Sequence, residues 1–126
     1  IAPQMIEAKL LVDKFIDQIV IIADQRKFVS ALIIPEYGAL EKYAQANGIS
    51  FTSREDLCSN GKIHQMITER IETLQQQLAH YEQIKRFTLL PKPFTMESGE
   101  LTNTLKMRRK VINEHYKNEI EKMYAE

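Results

Sequence analysis

Two runs of aliphatic and β-branched residues, QIVIIAD and FVSALIIP, lie on either side of the polar DQRK. That composition predicts strands, and the short polar link predicts an antiparallel hairpin. Both runs are almost continuously apolar rather than alternating, so the sheet is predicted to be covered on both faces. Pro35 ends the second run. A third strand is predicted over QIKRFTLLPKPF, where Ile84, Phe87 (or Arg86) and Leu89 alternate until Pro91 and Pro93 close it.

Helical spacing governs most of the remainder. APQMIEAKLLVDKF reads as a short helix with Pro3 at its first position and Ile6, Leu10 and Val12 or Leu11 giving an approximate apolar face. EYGALEKYAQANG reads as a second, with Leu40, Tyr43 and Ala44 inward and Gly48 at the stop. Ser53 is suited to cap a single turn. The clearest stripe, Ile63, Met66, Ile67, Ile71, Leu74 and Leu78, predicts a helix from Lys62 to about Ala79. A last helix is expected from about Met107 to Tyr124, with Ile112, Tyr116, Ile120 and Met123 inward. Between Lys92 and about Leu105 no period holds, and irregular stretches of that length are often functional. Helices around a small sheet with an antiparallel pair make the class α+β, in one domain over residues 1–126.

Composition narrows the function. Seventeen basic residues balance seventeen acidic ones, so bulk charge indicates no nucleic-acid partner. The balance hides a local excess: Lys85, Arg86, Lys92, Lys106, Arg108, Arg109 and Lys110 face only Glu97 and Glu100 between positions 84 and 112. Cys58 is the single cysteine, expected to be half-buried and inert in a reducing compartment. No apolar run reaches the roughly 18 residues of a membrane span. The start IAPQMIEAKLL carries no signal-peptide pattern and no initiating methionine, as expected of a domain excised from a longer protein. His64, His80 and His115 stand apart without partners at ligand spacing, so no metal site is expected, and the five methionines read as packing. The four glycines never cluster into a phosphate-cradling loop.

GELTNTLKMRRK, residues 99–110, remains. Arg108, Arg109 and Lys110 fall in the first turn of the predicted last helix, where cations are mildly unfavourable. They read either as a solvated face offset by Glu114, or as an anion platform with Lys106 on a mobile loop just ahead. The physics leaves these two readings level. Lysine suits the second because it is a compact charge on a flexible stem.

The stretch GELTNTLKMRRKVINEHY is similar to the final core motif of the adenylate-forming enzymes. IAPQMIE resembles the tail of that family's motif just past its interdomain hinge, and QIVIIADQRKFVSALIIPEYGALEKYAQANGI its hairpin and following helix. The whole chain thus resembles the C-terminal domain of a long-chain fatty acid–CoA ligase. The resemblance implies that Lys106 is the catalytic lysine, meeting the carboxylate and the ATP α-phosphate during acyl-adenylate formation. It implies that Gly99, Leu101 and Thr102 form the turn presenting it. It further implies that the domain rotates to a second posture in which Ile1, Ala2 and Pro3 edge a tunnel for coenzyme A. Arg26, Lys27 and Arg86 are candidates for the CoA side. Asn103 stands where proline is frequent, and Leu105 replaces the glycine of many other branches, which favours the long-chain branch.

Implied partners are a large N-terminal adenylating domain of the same polypeptide, fatty acid, ATP with Mg2+, and coenzyme A. The location implied is cytoplasmic, with peripheral association at the inner membrane face allowed. Two other readings use the same residues: a free-standing module holding RNA or another phosphorylated partner through its basic segment, and an adenylating scaffold serving another acceptor, such as a carrier-protein thiol.

Overall fold

The computed structural model describes residues 1–125. Its core is a three-stranded sheet of β1 (Ile16–Ile22), β2 (Val29–Pro35) and β3 (Ile84–Leu89), in that spatial order. β1 and β2 form the expected antiparallel hairpin, with Ile19 opposite Ile33. All seven residues of β2 are buried, as a central strand covered on both faces requires. β3 instead runs parallel to β2, with Ala31 opposite Phe87. A parallel neighbour needs a long crossover, and the chain from residue 36 to 83 supplies it in helices.

Those helices are α2 (Tyr37–Ala46), α3 (Arg54–Ser59) and α4 (Gly61–Leu74), preceded in the chain by α1 (Pro3–Leu10). α1 begins with Pro3 in its first turn and lays Ile6 and Leu10 against β1. After α2, Gly48 takes φ +67, the left-handed conformation expected of its stop position. Ser53 caps α3 by accepting from the Asp56 amide at 3.1 Å. α4 buries Ile63, Ile67 and Ile71, with Met66, Leu74 and Leu78 partly buried beside them.

Three helix boundaries depart from expectation. α1 stops at Leu10, and Leu11 and Val12 beyond it are exposed instead of joining its apolar face. α4 ends at Leu74 rather than near Ala79 because Gln75 turns inward. Its side-chain amide donates to Ile84 O at 3.1 Å and accepts from Ile84 N at 2.8 Å, mimicking a peptide group at the head of β3. The last helix starts at Arg109, two residues late, and breaks at Tyr116 into α5 (Arg109–His115) and α6 (Lys117–Tyr124). Two anchors account for the bend. The Tyr116 ring packs edge-on to Phe94 at 6.0 Å, while the Tyr124 hydroxyl lies 2.8 Å from Ser30 Oγ and donates to Phe28 O at 2.7 Å. Among the methionines, Met123 is core, while Met5 and Met96 are a little under half exposed.

Candidate functional site: a braced lysine hairpin

The stretch from residue 92 to 105 is not structureless, although periodicity could not resolve it. Gln18 on the outer strand β1 donates to Phe94 O at 3.1 Å and accepts from Phe94 N at 2.7 Å, which pins the start of the segment. Phe94 is buried. Gly99 closes a turn at φ +82, its amide donating to Met96 O, a conformation that needs glycine. Leu101 then bridges to Met107 as an isolated antiparallel pair, is buried against the core, and starts a narrow hairpin.

Thr102 organises the tip. Its amide donates to Lys106 O at 2.8 Å and its carbonyl accepts from Leu105 N at 2.9 Å. Its hydroxyl oxygen accepts from the amide of Lys106 at 3.1 Å and from that of Thr104 at 3.3 Å. Three residues, Asn103 to Leu105, therefore span the loop, the hairpin class whose last loop position takes the left-handed conformation. Leu105 does so, at φ +64. A residue with a β-carbon pays about 1–2 kcal/mol there, which glycine would avoid.

Lys106 follows at the tip, exposed to solvent. Among the described residues its ammonium group has no hydrogen bond or ion pair. The hairpin is rigidly framed while its cation is free to meet an external anion.

Beneath the hairpin sits a buried carboxylate that sequence reasoning missed. Glu100 is almost fully buried, accepts from Ser98 Oγ at 2.8 Å, and lies 2.8 Å from His115 Nδ1 on α5. Its own carbonyl accepts from the Arg108 amide at 2.8 Å. His115 thus has a carboxylate neighbour in space, although none stands at ligand spacing in the sequence. Its partner is 15 residues away in the chain, so no local spacing could reveal it.

Of the two readings of residues 108–110, neither a solvated face nor an anion platform takes in all three cations, because Arg109 is paired within the domain while Arg108 and Lys110 are exposed. Arg109 is turned inward, donating to both oxygens of Glu7 on α1 at 2.7 Å each. Glu7 is buried and also accepts from Ile21 N on β1 at 2.8 Å. That hydrogen-bonded pairing, against a smaller opposing effect of burial, raises the Arg109 guanidinium above its ordinary range. Its charge is consumed inside the domain. Glu7 was legible in principle, since a lone carboxylate beside Ile6 and Leu10 on an apolar helix face demands a buried partner.

The CoA-side candidates divide. Arg26 pairs with Glu121 and lies over the Tyr124 ring at 4.7 Å. Arg86 donates to Met123 O at 2.7 Å and stacks on Phe28 at 5.4 Å, so it fastens the end of α6. Lys27 is exposed, as are Ile1 and Ala2. Pro3 meets Arg26, Arg109 and Lys110 around a groove of about 380 Å³. Ile1 and Pro3 line a second recess of about 350 Å³ with Asp24 and Gln25. The structure thus brings the first three residues to the β1–β2 turn and the start of α5. Elsewhere, Cys58 is half-buried with the Tyr37 hydroxyl 3.0 Å from its sulfur, and burial pushes its thiol up, away from the reactive thiolate. Among the described residues no cluster of His, Cys, Asp and Glu could hold a metal ion.

Residues 1–126 match the family described as AMP-binding enzyme C-terminal domain. A long-chain-fatty-acid–CoA ligase of Mycobacterium tuberculosis is 33% identical over 125 residues, which cover 98% of this chain and 21% of that protein. The human long-chain-fatty-acid–CoA ligase 6 is 30% identical over 128 residues, covering 99% and 18%. Among solved structures, the adenylation domain of a carboxylate reductase from Mycobacterium chelonae superimposes with a TM-score of 0.80 at 26% identity, covering 100% of this chain and 18% of that one. The chain spans about a fifth of the length of the curated relatives it matches.

Proposed function

Because this chain belongs to the AMP-binding enzyme C-terminal domain family, we propose that it is the cap of an ATP-dependent long-chain fatty acid–CoA ligase and that Lys106 is its catalytic lysine. A larger N-terminal domain of the same polypeptide holds fatty acid and ATP with its Mg2+. The cap brings the Lys106 ammonium group to the carboxylate and the α-phosphate as they join, and to the negative charge that grows between them. Gly99, Leu101 and Thr102 set the hairpin that aims it. After acyl-adenylate forms, the cap turns and presents the side bearing Ile1, Ala2 and Pro3 to coenzyme A, with Lys27 on the neighbouring β1–β2 turn and Lys110 beside Pro3 as candidate cations there. Activity at the cytoplasmic face of a membrane, by peripheral contact, accords with this role; no helix among the described residues is long and apolar enough to cross a bilayer.

One observation supports the reading above the others: Lys106 alone is offered to solvent on a framed tip, while Arg26, Arg86 and Arg109 are spent on internal partners. A unit charge within 4 Å of an anion is worth about 4 kcal/mol at an effective dielectric of 20. If realised only in the transition state, that is up to about a thousandfold in rate.

In the full-length enzyme, Lys106→Ala is expected to slow acyl-adenylate formation by two to three orders of magnitude on that scale (about 100- to 1000-fold). Thioester formation from supplied acyl-adenylate should fall far less. Equal loss in both half-reactions refutes the assignment. Transfer to a carrier-protein thiol instead of coenzyme A is the second reading, since the same adenylating scaffold can serve another acceptor. Supplying each acceptor to the enzyme charged with acyl-adenylate separates them.

A further inference from the structure

We infer that Leu105 is a docking residue: its side chain seats against an apolar wall of the larger domain's cleft when the hairpin delivers Lys106, and so fixes the lysine's depth. The inference rests on the role proposed above for Lys106. Three facts about Leu105 together point outside the chain. Its backbone sits at φ +64, where leucine is disfavoured and glycine or asparagine is at ease. Its side chain is 66% exposed, so burial within the domain does not offset that strain. The hairpin is closed by Thr102 through backbone and hydroxyl bonds, none of which uses the leucine side chain.

Its neighbours at the tip, Asn103 and Thr104, are polar and exposed, so Leu105 is the one apolar side chain the loop presents. It directly precedes Lys106, whose amide is tied to Thr102. A contact at Leu105 therefore sets where the lysine stem begins. The occupant is committed by position: whatever surface receives the lysine also faces the adjoining residue. That surface lies in the four-fifths of the relatives' length outside this chain. An aliphatic side chain held on a framed tip is suited to an apolar recess, and the left-handed backbone keeps it out of its own domain.

The test uses the full-length enzyme with Leu105→Gly, Leu105→Asn and Leu105→Met, alongside Lys106→Ala. Adenylate formation is followed by exchange of labelled pyrophosphate into ATP, thioester formation from supplied acyl-adenylate, and folding by thermal unfolding. Leu105→Gly and Leu105→Asn relieve the backbone, so unfolding should stay unchanged or move upward. Both should lose about 10- to 100-fold in adenylation kcat, the worth of removing a leucine side chain from water. The KM for fatty acid should hold steady, and the thioester step should lose much less. Leu105→Met, which keeps an aliphatic contact, should recover most of the rate. Increased stability with reduced adenylation is a signature that a purely structural leucine would not give.

Wild-type adenylation in Leu105→Gly and Leu105→Asn, with Lys106→Ala still slow, overturns the docking role and leaves the lysine assignment standing. Loss in Leu105→Gly alone also overturns it, since the cause is then loop mobility. Loss confined to the KM for fatty acid overturns it too, because the leucine would then be touching the acyl chain. An unimpaired Lys106→Ala is a different result, which removes the functional reading itself.

Discussion

Arg26, Arg86, Arg109 and Lys106 contribute equally to a count of charge, yet they end in different states. Arg109 forks onto Glu7, Arg86 caps the carbonyl of Met123, Arg26 closes on Glu121, and Lys106 is left to solvent. The Glu7–Arg109 pair carries the largest consequence for stability. Glu7 is buried and two-fold bonded by the guanidinium, so deleting the arginine strands a carboxylate in the core. Arg109→Met is expected to destabilise the domain by about 3–5 kcal/mol, the range for breaking a buried pair from one side. Glu7→Gln, which retains an acceptor for Ile21 N, should cost less, about 1–2 kcal/mol. Urea denaturation at neutral pH checks both, and a smaller loss in Arg109→Met than in Glu7→Gln contradicts the account. Arginine identity at 109 was written in the chain; its partner 102 residues away was not.

At the scale of elements, two glutamines do the work of missing strands. Gln75 pairs with both backbone groups of Ile84, and Gln18 with both of Phe94. Gln75 stands where α4 stops and Gln18 on the outer strand of the sheet, and each bonds both a backbone donor and a backbone acceptor of a distant residue. Replacing Gln75 by Leu should cost about 2–4 kcal/mol, because two backbone groups beside a buried side chain go unpaired. Equilibrium unfolding measures it, and a change below about 0.5 kcal/mol, the size of a neutral surface substitution, refutes the role. The Ser53 cap marked α3, and apolar patterning resolved the hairpin, α1, α2 and α4 because it reports which face a segment buries. It ran α4 too long and missed the break at Tyr116. Those ends are set by a side chain folding back on a distant backbone and by rings meeting across the domain.

Taken whole, the molecule is a frame for one hairpin. Arg109 joins its exit to α1 and β1, Glu100 joins its base to α5, and Gln18 joins its approach to the sheet. It offers no glycine-rich phosphate loop, so the isolated chain is expected to bind ATP weakly and to form no acyl-adenylate. Titration calorimetry of the chain with ATP and Mg2+ checks this, and a micromolar affinity contradicts it. Residue order alone determined the α+β class, the hairpin, the four glycine and proline punctuation points at Pro3, Pro35, Gly48 and Gly99, and the cationic stretch around Lys106. These depend on local backbone preference and on which residues avoid water, and both can be read over a few neighbouring positions. Only the tertiary structure decided that β3 runs parallel, that the last helix bends, and that Arg26, Arg86 and Arg109 find partners among the described residues of the domain while the Lys106 ammonium group does not. Charge pairing over the length of the chain is a matter of distance in space, and an ion finds its partner only after the core has brought the two together.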